Sequence, residues 1–487
     1  MLTIHRFLSI LAISVCASLV SAADVSAPIR TLGRVFQKLE AGQETAICYF
    51  GGSITAASGY RVKTLKWFRE TFPRATVREI NAAIGGTGSD LGAFRCRTEV
   101  IALKPDLVFI EFNINDGSPT NEFRKATMEG IVRQLWSSET NPEIVFLYTT
   151  SRDLNCARGS HPAVARHYGI PEIDLQPPLI EALKRPDLPK PTEKQLEDPK
   201  LNWKAPGQVF MSDSVHPNDL GHTIYTDTIV AYLKTQVDAN PSPVPVLPPP
   251  LVSDEFAAAK LVPPSVASLS GDWEVLPADK KDGLLRRYQS GTINARKAGD
   301  SLRFEFEGTA VGLFENVQKD GGKYEWTIDD GKDEPADKSY GGPKGRKHGT
   351  VDTAPGSYFP RNHYAMLSCG LLPGKHMLTI KVLEQRDATS TGNRLLIGYF
   401  MVAGGNMIDV GPGHDDTVAR DLYAASLDLP VFLGWHEPSA RWIEGIERLP
   451  LPGVCWKTKP CQRADEVDER WPGRAELLPG RGFVEAL

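Results

Sequence analysis

Four short blocks in the first half of the chain carry residue types that can do chemistry together. They are Ser53 in GGSIT, Gly86 in NAAIGG, Asn115 in NIND, and Asp213 with His216 in DSVHP. A serine hydroxyl becomes a nucleophile when an imidazole takes its proton, and a neighbouring carboxylate fixes the imidazole tautomer and balances its charge. Asp213 and His216 are close enough in sequence for one turn to aim both at a single point. Ser53 follows an apolar run directly, which predicts a sharp strand-to-helix turn whose oriented N–H groups favour a developing negative charge. The Gly86 N–H and the Asn115 amide each follow a predicted strand of their own. With the Ser53 N–H they make three donors for one oxyanion. Taken singly, each block also has a plain structural reading: an ordinary turn, a helix cap beside a surface histidine, a loop glycine, an Asx turn. Together they put a nucleophile, two further donors and an Asp/His pair on four strand ends.

The elements that must position them are readable from periodicity. Apolar runs at 45–50 (TAICYF), 76–81 (TVREIN), 107–112 (LVFIEF) and 144–148 (IVFLY) predict strands, the first two ending in Gly-Gly turns. Between them, Val62, Leu65, Phe68 and Phe72 recur at helical spacing and stop at Pro73, and Phe123, Ala126, Ile131 and Leu135 do the same. Two more helices fit 163–168 and 218–233. Continuous apolar strands alternating with helices predict an α/β domain with a parallel sheet covered on both faces, where ligands bind at the carboxyl ends of the strands.

Residues 240–250 (NPSPVPVLPPP) are too rich in proline for helix or sheet and predict a semi-rigid spacer between domains. Beyond it the period changes to two. Leu302, Phe304 and Phe306 alternate with charged residues, and Tyr324, Trp326 and Ile328 alternate again. Runs at 377–382 and 395–401, with turns at Gly321-Gly322 and Pro373-Gly374, predict a jelly-roll-like β-sandwich. The expected organisation is an α/β domain at 28–238, a linker at 239–250, a β-domain at 251–410 and a C-terminal extension of unassigned fold at 411–487.

Residues 1–22 predict a cleaved secretory signal: Arg6, an apolar stretch from Phe7 to Val20, and small residues ending at Ala22. An uncleaved N-terminal anchor is the alternative. Either way the protein is expected to work outside the cytoplasm, secreted or periplasmic, and no later stretch has the ~20 apolar residues of a membrane span. Composition is ordinary for a globular chain of 487 residues, 41% hydrophobic and 24% charged. A net charge of -5 leaves no domain-scale basic field, which argues against a nucleic-acid partner. Of seven cysteines, Cys16 leaves with the signal. Cys48 reads as a small core residue, and Cys455 and Cys461 are the best candidate pair among the six that remain (with Cys96, Cys156 and Cys369). No CxxC or HExxH spacing supports a metal site.

The order and spacing of the four blocks resemble the SGNH (GDSL-type) esterase family over roughly residues 45–235. The resemblance implies a flavodoxin-like three-layer α/β/α domain. It also implies Ser53 as nucleophile, His216 as base, Asp213 as its partner, and Ser53, Gly86 and Asn115 as the oxyanion hole. Two positions depart from the commonest pattern: the usual acid before the serine is Gly52, and the usual glycine of the third block is Asn113. The α/β-hydrolases share the Ser…Asp…His order but set the serine in G-x-S-x-G, whereas Thr55 stands second after Ser53 here. The implied reaction is acyl transfer through an acyl-enzyme, with no metal or organic cofactor. Export and a β-domain resembling sugar-associated jelly rolls favour O-deacetylation of a polysaccharide or glycan, so the expected partner is an acylated carbohydrate or another small ester. The alternatives are an acylhydrolase acting on lipid or small esters, and a catalytically silent glycan-binding protein. Trp273, Tyr288, Trp326 and Tyr364 could stack on sugar rings or pack in cores, Trp326 better fitting a core. His161, Trp203 and Arg152 could line the pocket or serve structure.

Overall fold

Thr45–Gly51 (β1) is buried at every position because it runs near the middle of a parallel sheet. The other strands are Val77–Asn81 (β2), Leu107–Glu111 (β3), Glu143–Tyr148 (β4) and Glu172–Asp174 (β5), in the order β2-β1-β3-β4-β5. The structure is a computed structural model that describes residues 27–117, 120–278, 285–335, 340–354 and 360–404. The expected signal at 1–22 with Cys16, the Cys455 and Cys461 pair, and the extension at 411–487 lie outside the described residues.

The helices are Gly33–Glu40 (α1), Ser53–Ala56 (α2), Tyr60–Thr71 (α3), Ser89–Glu99 (α4), Asn113–Asp116 (α5), Glu122–Trp136 (α6), His161–Tyr168 (α7), Gln176–Ala182 (α8), Glu193–Glu197 (α9) and Asp219–Gln236 (α10). Successive strand side chains point to opposite faces, so each face carries its own apolar core. Tyr49, Phe109 and Val145 pack with Phe36, Phe68 and Tyr225 of α1, α3 and α10. Phe50, Val108 and Phe146 pack with Phe94, Ile131 and Val164 of α4, α6 and α7. The expected three layers are therefore present.

The second domain holds Lys260–Val262 (β6), Ser268–Ser270 (β7), Trp273–Leu276 (β8), Thr292–Ala295 (β9), Ser301–Gly308 (β10), Ala310–Val317 (β11), Lys323–Ile328 (β12), His348–Asp352 (β13), Arg361–Ser368 (β14), Gly374–Val382 (β15) and Leu395–Ala403 (β16). They form two antiparallel sheets, β13-β12-β15-β10-β7 and β14-β11-β16-β9-β8, with β6 added against β16. One shared core lies between them, where the Phe304 ring stacks on Phe400 at 3.9 Å. Strand β10 alternates buried and exposed, as the sequence pattern predicts for a sheet with one wet face. Strands β11 and β16 are buried throughout. Their inner residues, such as Leu313 and Phe400, fill the sandwich, while Phe314, Tyr399 and Met401 join the core that α4 and α6 form.

That second burial joins the domains. Phe256 sits edge-on to Phe94 and Phe123, each with centroids 5.8 Å away. Gln134 of α6 donates to the carbonyls of Ala93 and Phe256 at 2.8 Å each. The proline-rich run between the two domains is laid along the α/β domain. Proline has no N–H to give, so its carbonyls serve as acceptors: Arg133 donates to Pro248 at 2.9 Å, and His167 bonds Pro249 at 2.9 Å. Thr31 donates to the Asn240 carbonyl at 2.6 Å. The run ends at the fully buried carboxylate of Glu129, which accepts from the backbone N–H groups of Leu251, Val252 and Ser253.

Three of the four aromatic residues offered for sugar stacking have no free face. Tyr288 is fully buried with its hydroxyl donating to the Glu315 carbonyl, Trp326 lies in the sandwich core, and Tyr364 is buried in the junction. Trp273 is partly exposed, and its indole donates to the Ser301 carbonyl at 3.1 Å. Among the described residues, Cys48, Cys96, Cys156 and Cys369 are free thiols, and no helix is long and apolar enough to cross a membrane.

Replacing Glu129 with Ala would remove the buried acceptor shared by three backbone donors at a part-buried junction. Stability should fall by about 3 kcal/mol or more, read as a lower Tm. Limited proteolysis between residues 240 and 253 should accelerate. An unchanged Tm with unchanged cleavage would remove this account of the junction.

Candidate active site

The turn after β1 delivers Ser53 as the first residue of α2, with Gly52 extended before it (φ -89°, ψ -151°). Ser53 Oγ lies 2.8 Å from His216 Nε2. His216 Nδ1 lies 2.7 Å from Asp213 Oδ2, so a proton on Nδ1 leaves Nε2 free to accept from the hydroxyl. The other carboxylate oxygen of Asp213 accepts from the N–H groups of Val215 and His216, each at 2.8 Å. The capping role and the imidazole contact are thus held by the same side chain. Burial alone would raise the Asp213 carboxyl, but its bonds and attraction to His216 outweigh this and hold it below the usual carboxylate range. The loop is pinned from outside by a bridge between Met211 and Pro217 and by the Arg152 N–H donating to the Ser214 carbonyl at 2.9 Å.

Gly86 has φ +72°, in the region where a side chain is strained. The Gly85-Gly86 turn that holds it is closed by the Thr87 hydroxyl donating to the Ile84 carbonyl at 2.8 Å. A Cβ on Gly52 would stand 2.2 Å from Asn115 Oδ1 and 3.5 Å from the Thr87 carbonyl. The residue before the serine, the Gly86 turn and the Asn115 amide are therefore packed against one another. Asn113, at the second departure, ties the ends of two strands. Its Nδ2 donates to the Thr149 carbonyl at 2.8 Å, and its Oδ1 accepts from the Thr149 N–H at 3.1 Å and hydroxyl at 3.0 Å.

Of the residues offered for the pocket wall, His161 is buried with Nε2 2.7 Å from Asp116 Oδ2. The Trp203 indole donates to the Gln195 carbonyl at 3.0 Å, and the Arg152 guanidinium to the Lys200 carbonyl at 3.0 Å. All three have structural partners in place.

Glu111 was not anticipated as a site residue. It ends β3 beneath the nucleophile turn, fully buried, and accepts from the hydroxyls of Thr55 at 2.7 Å and Thr149 at 3.3 Å. Burial pushes its carboxyl up to about 7, against those hydrogen bonds. A lone acid in the apolar run LVFIEF is the sequence signal for it. A cavity of about 880 Å³ at the domain junction, walled by Arg97, Arg133, Tyr340 and Lys344 among others, includes none of Ser53, Asp213 and His216.

Residues 49–224 match the model of the GDSL-like lipase/acylhydrolase family, and this part of the chain is such a domain. Comparison with curated protein sequences gave no match. Among solved structures, a two-domain esterase active on acetylated mannans, co-crystallized with mannopentaose, is similar with a TM-score of 0.63 and 21% identity, over 78% of this chain and 97% of that one. A second structure described as a two-domain esterase active on acetylated mannans gives 0.62 and 22%, over 78% and 98%. These likenesses establish the order of an α/β domain followed by a β-rich domain.

Two measurements follow. Gly52→Ala should drive a methyl into Asn115 and lower turnover of a small ester by on the order of 10²-fold with the fold retained; wild-type turnover would show that the packing of Gly52 on Asn115 does not matter. For Glu111 the raised value means that the native state holds its proton more tightly than the unfolded chain. Its contribution is therefore lost as pH rises from the ordinary carboxyl range to about 7. Glu111→Gln should remove about 3 kcal/mol of that loss, seen by comparing unfolding of both proteins at pH 5 and pH 8. Parallel pH profiles would contradict it.

Proposed function

We propose that the protein is a serine esterase that removes acyl groups, acetyl in the first place, from a polysaccharide outside the cytoplasm. The observation that carries this is the continuous hydrogen-bonded line from Ser53 Oγ through His216 to Asp213, at 2.8 and 2.7 Å, beside the packed Gly86 turn and Asn115. In this reading Ser53 Oγ attacks the ester carbonyl while its proton moves to His216 Nε2. Asp213 accepts from Nδ1–H and balances the imidazolium charge. The N–H groups of Ser53 and Gly86 and the Asn115 amide hold the tetrahedral oxyanion. His216 then gives its proton to the departing sugar oxygen, leaving an acyl-enzyme. A water deprotonated by His216 hydrolyses it, and the serine regains its proton.

The choice of carbohydrate rests on the expected export, on residues outside the described range, and on the shared two-domain order with an esterase active on acetylated mannans. Acetylated mannan is accordingly the first polymer to test, with acetylated xylan and pectin beside it.

Purified protein should release acetate from p-nitrophenyl acetate and from at least one of these polymers. Ser53→Ala should lower kcat by about 10⁴-fold or more, and Asn115→Ala by on the order of 10²–10³. Full activity in Ser53→Ala would sink the assignment, and a preference for long-chain esters would replace the polysaccharide with lipid.

A further inference from the structure

Behind the Gly86 turn lies a buried cluster of charge that the proposed chemistry does not touch. Arg124 Nη1 stands 2.7 Å from Asp90 Oδ1 and 3.1 Å from Asp116 Oδ1. Asp116 Oδ1 also accepts from the Ser89 N–H at 2.9 Å, and its Oδ2 meets His161 at 2.7 Å. Asp90, Asp116, Arg124 and His161 are all at most 5% exposed. Burial alone would raise the Asp116 carboxyl, but the Arg124 charge and the His161 bond outweigh it and hold it below the usual range.

The proposed oxyanion donors are attached to this cluster at short range. A Cβ on Gly88 would stand 2.3 Å from Asp116 Oδ1, 2.8 Å from Arg124 Nη1 and 3.0 Å from Asp90 Oδ1, so the backbone two residues after Gly86 rests directly on it. Asn115 immediately precedes Asp116 in α5. The outer end of the cluster is closed by the other domain: the Tyr364 hydroxyl of β14 donates to Asp90 Oδ1 at 2.7 Å. Burial, with the nearby Asp90 charge, pushes the phenol well above its ordinary value, so Tyr364 keeps the proton it donates. Two carboxylates share one guanidinium in a dry site. Each remaining donor to them then fixes their positions, and removing one leaves a buried acceptor unpaired.

We propose that Tyr364 is a positioning residue for ester hydrolysis: by completing the Asp90–Arg124–Asp116 cluster from the β-domain, its hydroxyl holds the Gly86 turn and Asn115 at the oxyanion. This deepens the esterase reading and rests on it. The β-domain then serves the chemical step itself, separately from any contact with polymer.

Tyr364→Phe keeps the ring and removes only the hydroxyl. On p-nitrophenyl acetate, kcat should fall about 10-fold or more with KM changed less than about twofold. The loss should shrink in an Asn115→Ala background, because one of the groups being held is already gone. Tyr340→Phe removes another junction hydroxyl, the one donating to Glu255 at 3.1 Å, and should leave kcat unchanged. Should Tyr364→Phe fold poorly, Asp90→Asn tests the same link and should give the same selective loss in kcat. Wild-type kcat in Tyr364→Phe, an equal loss in Tyr340→Phe, or the same fold-loss with and without Asn115 would overturn the proposal. Ser53→Ala in the same assay separates the two failures: if it stays active the esterase reading falls, whereas if it is dead and Tyr364→Phe is normal only the positioning role falls.

Discussion

The 2.8 Å contact between Ser53 and His216 joins residues 163 positions apart, and the architecture of the first domain is the means of closing that distance. In a parallel sheet every strand delivers its carboxyl end to the same edge. Strand β1 ends at the serine turn, β2 leads into the Gly86 turn, and β3 ends at α5, which carries Asn115. Asp213 and His216 arrive on the loop before α10, tied to the segment after β4 through Arg152 and Ser214. No single helix or hairpin could gather these groups, since local structure reaches only a few residues along the chain. The sheet order is therefore the constraint on which the proposed chemistry depends.

Around this edge the polar groups are unusually deep. Glu111 lies under the serine turn with hydroxyl partners, whereas Asp90 and Asp116 lie under the Gly86 turn with Arg124 between them. The difference in partners gives opposite electrostatics. Among the described residues, Glu111 accepts from hydroxyls and from no cationic side chain, and burial raises it, whereas for Asp116 burial is outweighed by the guanidinium and the His161 bond. Buried charge of this kind is a poor source of stability, but its geometry is demanding, because a displaced partner leaves an uncompensated group. That demand falls here on the groups beneath the serine turn and the Gly86 turn.

Much of this was legible in the sequence, for identifiable reasons. Strands β1, β3 and β4 announce themselves because both of their faces are covered, so the apolar run is unbroken. The Ser53 and Asn115 blocks announce themselves because each follows such a run directly, the Gly86 block by its Gly-Gly turn, and the Asp213 and His216 block by its place just before a helical stretch. Helix α4 did not, since it is buried on almost all sides and carries Asp90 and Arg95 inward, leaving no apolar stripe to detect. Strand β5 is three residues long and has a single buried position. For Tyr364 in β14 the sequence leaves sugar stacking and core packing open, because alternation cannot say whether the second face of a sheet meets water or another domain. Tyr364 meets Asp90 across 274 positions, and nothing local to either residue marks the pairing.

The double coverage of β11 and β16 has a consequence for how the chain can be divided. A fragment stopping at the proline run would strip Phe94 and Phe123 of their cover and leave Glu129 without the amides it binds. The β-half alone would lose the cover that α4 and α6 give to Phe256 and to the outer side of β16. Apolar surfaces uncovered in this way promote association in isolated pieces. The two halves thus share one packed core, unlike modules on a tether that can be trimmed at will.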